Sequence, residues 1–82
     1  MEKILPSFSP EAQSLRLGVY EHYKGNRYKV IHVAFDHETV EELVVYQALY
    51  GNQSWFVRPL TMFLEQVEVN GEMKPRFRYL ED

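Results

Sequence analysis

Cysteine is absent from this chain, so no disulfide can brace it and no thiolate is available as nucleophile or metal ligand. No stretch approaches 18 apolar residues, which excludes a spanning helix. The opening MEKILPSFSPEAQ has neither the basic start, the long apolar run nor the small-residue cleavage site of a secretory signal. A soluble, cytoplasmic protein is expected. Charge of one sign is also scarce: nine basic and twelve acidic side chains give a net −3 and are scattered without a block. Generic affinity for nucleic acid needs concentrated Lys and Arg to displace counterions, so that class is disfavoured. Repeats, low-complexity tracts, phosphate-binding loops and catalytic motifs are all missing.

Hydrophobic side chains are plentiful. They make up 45% of the 82 residues, and the aromatic share is 15%. A domain this small buries only about 60–65% of its unfolded surface, so its core must carry the stability. Rings that each bury roughly 150–250 Å² suit that task.

The chain is organised around residues 37–59, HETVEELVVYQALYGNQSWFVRP. Residues 1–16 read as an N-terminal extension and 17–82 as one domain. In the extension, Ser9 is placed to cap a short helix with Pro10 first and Glu11 in the opening turn, and Phe8 and Ala12 have staple spacing. One or two turns cannot stand alone, so the segment either docks through Ile4, Leu5, Phe8 and Leu15 or stays mobile, and partial docking is expected. GVYEHY then gives a first strand and Lys24-Gly25-Asn26 a turn. Arg27–Phe35 follows as a second strand, with Ile31, Val33 and Phe35 on one face and Tyr28, Val30, His32 and Ala34 on the other. Both faces are apolar enough to suggest two-sided cover or a bulge.

Residues 42–49 read as a third strand, because consecutive β-branched residues argue against the rival helix over 39–50. Trp55–Arg58 is a fourth strand ended by Pro59, and Leu60–Phe63 a helical turn. Residues 65–69 then form a hairpin through Asn70-Gly71, whose type I′ turn needs positive φ twice. Its return strand is expected over 74–79, with Pro75 marking a sheet edge.

GVYEHYKGNRYKV, HETVEELVVYQALYG, WFVRPLTMF and, after the Asn-Gly turn, PRF occur in one order over about Leu17–Tyr79. In this the chain resembles a small bacterial domain of unknown function, family number 1653. The resemblance implies a stand-alone bacterial domain and brings neither an activity nor a catalytic residue. The strand pattern itself suggests a mainly β fold: five to six antiparallel strands with a short helical turn, similar in architecture to an SH3-like small barrel.

Aromatic and basic residues interleave: Tyr20, Tyr23, Tyr46, Tyr50, Trp55, Phe63 and Phe77 with His22, Lys24, Arg58 and Arg76. Rings gathered on one exposed face could stack on bases, prolines or a cation while an arginine pairs an anion. Core filling is the plainer reading of the same rings. The ligand-binding set expected is Tyr23, Tyr46, Tyr50, Trp55, Arg58, Arg76 and Phe77. Arg58, stiffened by Pro59, either takes an anion or bridges internally to Glu38, Glu42 or Glu65.

His22, His32 and His37 match no zinc spacing, so no metal and no cofactor are expected. His37-Glu38-Thr39 is read instead as a turn in which the Thr39 hydroxyl or Glu38 carboxylate accepts backbone N–H groups. Ser7, Ser9, Ser14 and Ser54 have no paired histidine, and an enzyme is not the favoured reading. The expectation is a non-catalytic module for a protein or peptide. The alternatives are single-stranded nucleic-acid binding, or a small hydrolase using His22 or His37 with Glu38. A monomer or weak homodimer, joined by an edge near Leu80 or Val19, completes the reading.

Overall fold

Extended backbone runs through Val44, Val45 and Tyr46, as their β-branched and aromatic side chains favour, and the helical alternative for this stretch is not formed. The computed structural model describes residues 7–82. In chain order its elements are α1 (Pro10–Ser14), β1 (Gly18–His22), β2 (Arg27–Phe35), β3 (Glu42–Ala48), β4 (Trp55–Pro59), α2 (Leu60–Phe63), β5 (Gln66–Val69), β6 (Glu72–Pro75) and β7 (Phe77–Glu81).

The main sheet is antiparallel with order β4-β3-β2-β1-β7, and β5 and β6 form a separate hairpin. Among the described residues no ladder joins β4 to β7, so the closed barrel expected from strand number gives way to an open sheet with two edges. The core is closed instead by the helical turn after β4. Leu60 and Phe63 of α2 are buried, and the Phe63 ring stacks on Phe77 of β7 at 4.2 Å. Val19, expected near an edge, belongs to β1, which is paired on both sides.

β2 carries the bulge its two apolar faces suggested. Val30 pairs with Tyr46, but His32 pairs with Val45, so Ile31 is the extra residue. Alternation is broken there. Val30 and Val33 are both buried, and the expected grouping of Ile31 with Val33 is corrected. β3 needs no such adjustment, burying Val44, Tyr46 and Ala48 in strict alternation.

Asn70 and Gly71 have φ of 52° and 82°, as the type I′ turn demands. The return strand differs from the expected single run over 74–79, because it breaks at Arg76. β6 completes the hairpin up to Pro75, whose missing N–H ends the ladder, and β7 then joins β1. The backbone of Arg76 holds the crossing point, its N–H donating to the Glu65 carbonyl at 2.9 Å and its carbonyl accepting from Tyr23 N–H at 2.9 Å.

Ser9 Oγ accepts from Ala12 N–H at 3.1 Å and caps α1 as expected. It also donates to the Glu42 carboxylate at 2.7 Å, and Ser9 N–H donates to the same group at 2.6 Å. Glu42 therefore ties α1 to β3. Ala12 is buried, Phe8 stacks on Phe35 at 4.4 Å, and Leu15 packs on the core. Ile4 and Leu5, expected to help, lie outside the described residues.

One glycine is required twice over. Gly18 has φ +131°, and a Cβ there would stand 2.5 Å from the Glu81 carbonyl oxygen, where β7 crosses the start of β1.

Candidate functional site

Strand parity sorts the aromatic and basic residues. On β4, Phe56 lies opposite Tyr46 and Arg58 opposite Val44, so both side chains share the inner face with the core. Trp55 and Val57, opposite Gln47 and Val45, take the outer face. The expected set is thereby divided: Trp55, 58% exposed, stands across the sheet from Arg58.

The inner face ends in a floor of rings centred on Tyr28. Its centroid lies 5.4 Å from Tyr46, 5.5 Å from Tyr50, 5.7 Å from Phe77 and 6.4 Å from Phe56, each crossing edge to face. Tyr46 and Phe77, expected to present their rings, are covered at 5% and 6% exposure and support the floor from beneath. Tyr50 and Phe56 remain exposed. The Tyr28 and Tyr50 hydroxyls share a 2.5 Å hydrogen bond. Burial and then that bond push the Tyr28 phenol up to about 12, so it stays protonated through the physiological range.

Cationic groups rim this floor. The Arg58 guanidinium lies 5.7 Å from the Phe77 ring centre, and its Nε donates to the Tyr46 hydroxyl at 3.3 Å. Among the described residues Arg58 forms no ion pair, so the bridge to Glu38, Glu42 or Glu65 is not made. Glu42 is engaged by Ser9 instead, and Glu65 meets Arg76 at 3.5 Å. Arg76 Nε is buried without a hydrogen-bond partner.

His22 packs on Phe77 at 4.9 Å and on Tyr23 at 4.5 Å. Its Nδ1 accepts from Lys24 N–H at 3.2 Å, leaving Nε2 unengaged by that contact. Burial lowers the His22 pKa, and the charges of Arg76, Arg58 and Lys24 lower it further. Those three cations therefore act on one small region. Tyr23, exposed in the turn after β1, has the Lys24 ammonium 5.8 Å from its ring centre.

The structure thus gathers Tyr46, Tyr50, Arg58 and Phe77 on one face with Arg76 at its His22 edge, sets Tyr23 beside that edge in a cleft with Glu21 and Arg78, and leaves Trp55 out. Three contributors escaped the expected set: His22, Tyr28 and Phe56. The signal that selects Phe56 over Trp55 is period-2 alternation counted from Arg58.

His22, at the end of β1, lies beside the start of the nine-residue β2 and Glu38 lies beyond its other end, roughly 25–30 Å apart by strand rise, so the hydrolase pairing of these two does not converge. His37 and Glu38 belong to a surface turn organised by Asp36. The Asp36 carboxylate accepts Glu38 N–H at 2.9 Å and Thr39 N–H at 3.0 Å, and these bonds hold it below the ordinary carboxylate range. The Thr39 hydroxyl accepts Glu41 N–H as expected, whereas the main capping role falls to Asp36 rather than Glu38. Among the described residues no three His, Asp or Glu side chains converge as a metal site, and no helix is long and apolar enough to cross a membrane.

A family model described as a protein of unknown function (DUF1653) matches residues 18–79. A crystal structure of a protein belonging to DUF1653 from Bordetella bronchiseptica superposes with a TM-score of 0.79 at 38% identity, covering 84% of this chain and 91% of that one. No curated protein matches the sequence.

Proposed function

The chain belongs to the DUF1653 family, which assigns it no activity, and from that premise we propose a non-catalytic module that binds an acidic peptide segment on the inner aromatic face. The observation carrying this reading is Arg58, a half-buried guanidinium set among rings with no carboxylate paired to it among the described residues. Such a group gains from an incoming carboxylate, since charge-assisted hydrogen bonds are about twice as strong as neutral ones. Arg76 and Lys24 add positive potential. The exposed edges of Tyr50 and Phe56 offer a flat seat for a proline or aromatic residue next to that carboxylate. The overall charge of −3 favours a peptide over a phosphodiester chain.

The test is an amide NMR titration with a short peptide holding two glutamates beside a proline and a tyrosine. Shifts are expected at His22, Tyr28, Tyr50, Phe56 and Arg58 and not at Trp55. Arg58→Gln should weaken binding by at least about tenfold with the fold intact. Shifts confined to the outer face would refute this reading. Tighter binding of oligothymidylate, with affinity falling steeply as salt rises, would replace it with single-stranded nucleic-acid recognition.

A further inference from the structure

The two edges of the sheet are finished differently. β7 carries Arg78 and Glu81, and Arg78 is held at 2.8 Å by Glu21 of β1, so charged side chains line that edge. β4 presents Trp55, Phe56 and Val57 in succession, 58%, 44% and 61% exposed. Three consecutive uncovered apolar residues on a strand paired on one side only are what a solitary edge avoids.

The backbone of β4 is equally open. Ala48 N–H donates to the Ser54 carbonyl at 2.9 Å, which makes Ala48 and Ser54 a hydrogen-bonded pair. Antiparallel alternation then turns the N–H and C=O of Trp55 and of Val57 away from β3, while the Pro59 carbonyl, at the N-cap of α2, serves the helical turn. We propose that a second copy of this chain fills the edge, β4 against β4, antiparallel and centred on Val57.

The choice of a second copy rests on how the strand matches itself. In this register the two Val57 residues exchange a pair of N–H···O=C bonds across the axis. Pro59 has no N–H and its carbonyl serves α2, so the ladder ends there on each side and the side chains extend the match. On the outer face Trp55 packs on Pro59 of the second copy. On the inner face Phe56 meets Arg58 of the second copy, an aromatic–guanidinium pair, and no like charges oppose each other. Two sheets become one of ten strands, and each ligand face gains an arginine from its neighbour.

Light scattering and sedimentation of the full chain over a concentration series test this. A concentration-dependent dimer is expected, and Val57→Lys, which sets two ammonium groups opposite each other at an exposed position, should give a folded monomer whose melting temperature no longer depends on concentration and matches that of the natural chain at high dilution. Because the natural chain has no cysteine, Val57→Cys supplies a single reporter thiol. With oxidised glutathione it should form a disulfide-linked dimer much faster than Met73→Cys, a position of matching 63% exposure on β6. A monomer at every concentration, a dimer that survives Val57→Lys, or equal cross-linking of the two cysteines would each overturn the pairing. None of these outcomes bears on the peptide reading, which needs only the inner face.

Discussion

The two ends of the sheet use their charges in opposite ways. Around the 36–41 turn and α1, acidic groups are consumed internally: Asp36 holds two backbone amides and Glu42 holds Ser9 through two bonds. Around the far end of β1 and β3, cations gather over rings, and Arg58 has no acidic partner among the described residues. The contrast separates structural polarity from polarity left over for another molecule. A side chain whose charge is answered within the fold should matter to stability, and one whose charge is unanswered should matter to binding.

Phe63 lies between the two ends, 2% exposed and stacked on Phe77, so its removal breaks the comparison altogether. Phe63→Ala should cost about 3–5 kcal/mol, a large part of the roughly 4–12 kcal/mol available to a domain of this length. Urea denaturation would show it, and a loss below ~1 kcal/mol would mean the core is centred elsewhere.

Glu42→Ala and Arg58→Gln sharpen the contrast. The first should lower stability by ~1–2 kcal/mol and release α1, with peptide affinity unchanged. The second should shift the urea midpoint by less than ~1 kcal/mol while abolishing most binding. If the pattern is reversed, the assignment of roles to the two ends is wrong.

Acid should act at the cationic end through His22. Its folded-state pKa lies below the ordinary 6.5, so above that pH both states are neutral and nothing changes. As pH falls below 6.5 the unfolded chain takes up the proton that the native state resists, and stability declines. His22→Asn should remove that part of the decline, and a bound carboxylate should reduce it by answering the positive field. Thermal melts between pH 7.5 and pH 5 with and without peptide measure both effects.

The smallest effect belongs to the acidic end. Val40 has φ +60°, a region that β-branched residues avoid. Val40→Asn, better suited to that backbone, should raise stability by up to ~1 kcal/mol, detectable as a rise in the urea midpoint.

Local chemistry explains which parts of this architecture were legible in the residues. The α1 cap is written in Ser9-Pro10-Glu11, the I′ turn in Asn70-Gly71, and the extended middle in Val44-Val45-Tyr46, each decided by atoms within a few positions. What eluded the pattern depends on distant partners. Nothing near Arg76 announces that the chain there abandons β5 for β1, although Pro75 marks where the first ladder must stop. Tyr46 and Phe77 have the composition of a binding surface and became its support, because α2 folds over them. Arg58 had three carboxylates within plausible reach, and only the packing decides that Ser9 and Arg76 occupy two of them.

Ile31 acts as a spacer whose length matters more than its identity. A chain lacking that single residue would keep Val30 and Val33 on their present side, since their separation would become two, and would thus preserve the hydrophobic lining. It would lose the added twist that an unpaired residue imposes on β2. The apolar lining would then sit on a flatter support, so this one residue sets the curvature of the inner face and not its composition.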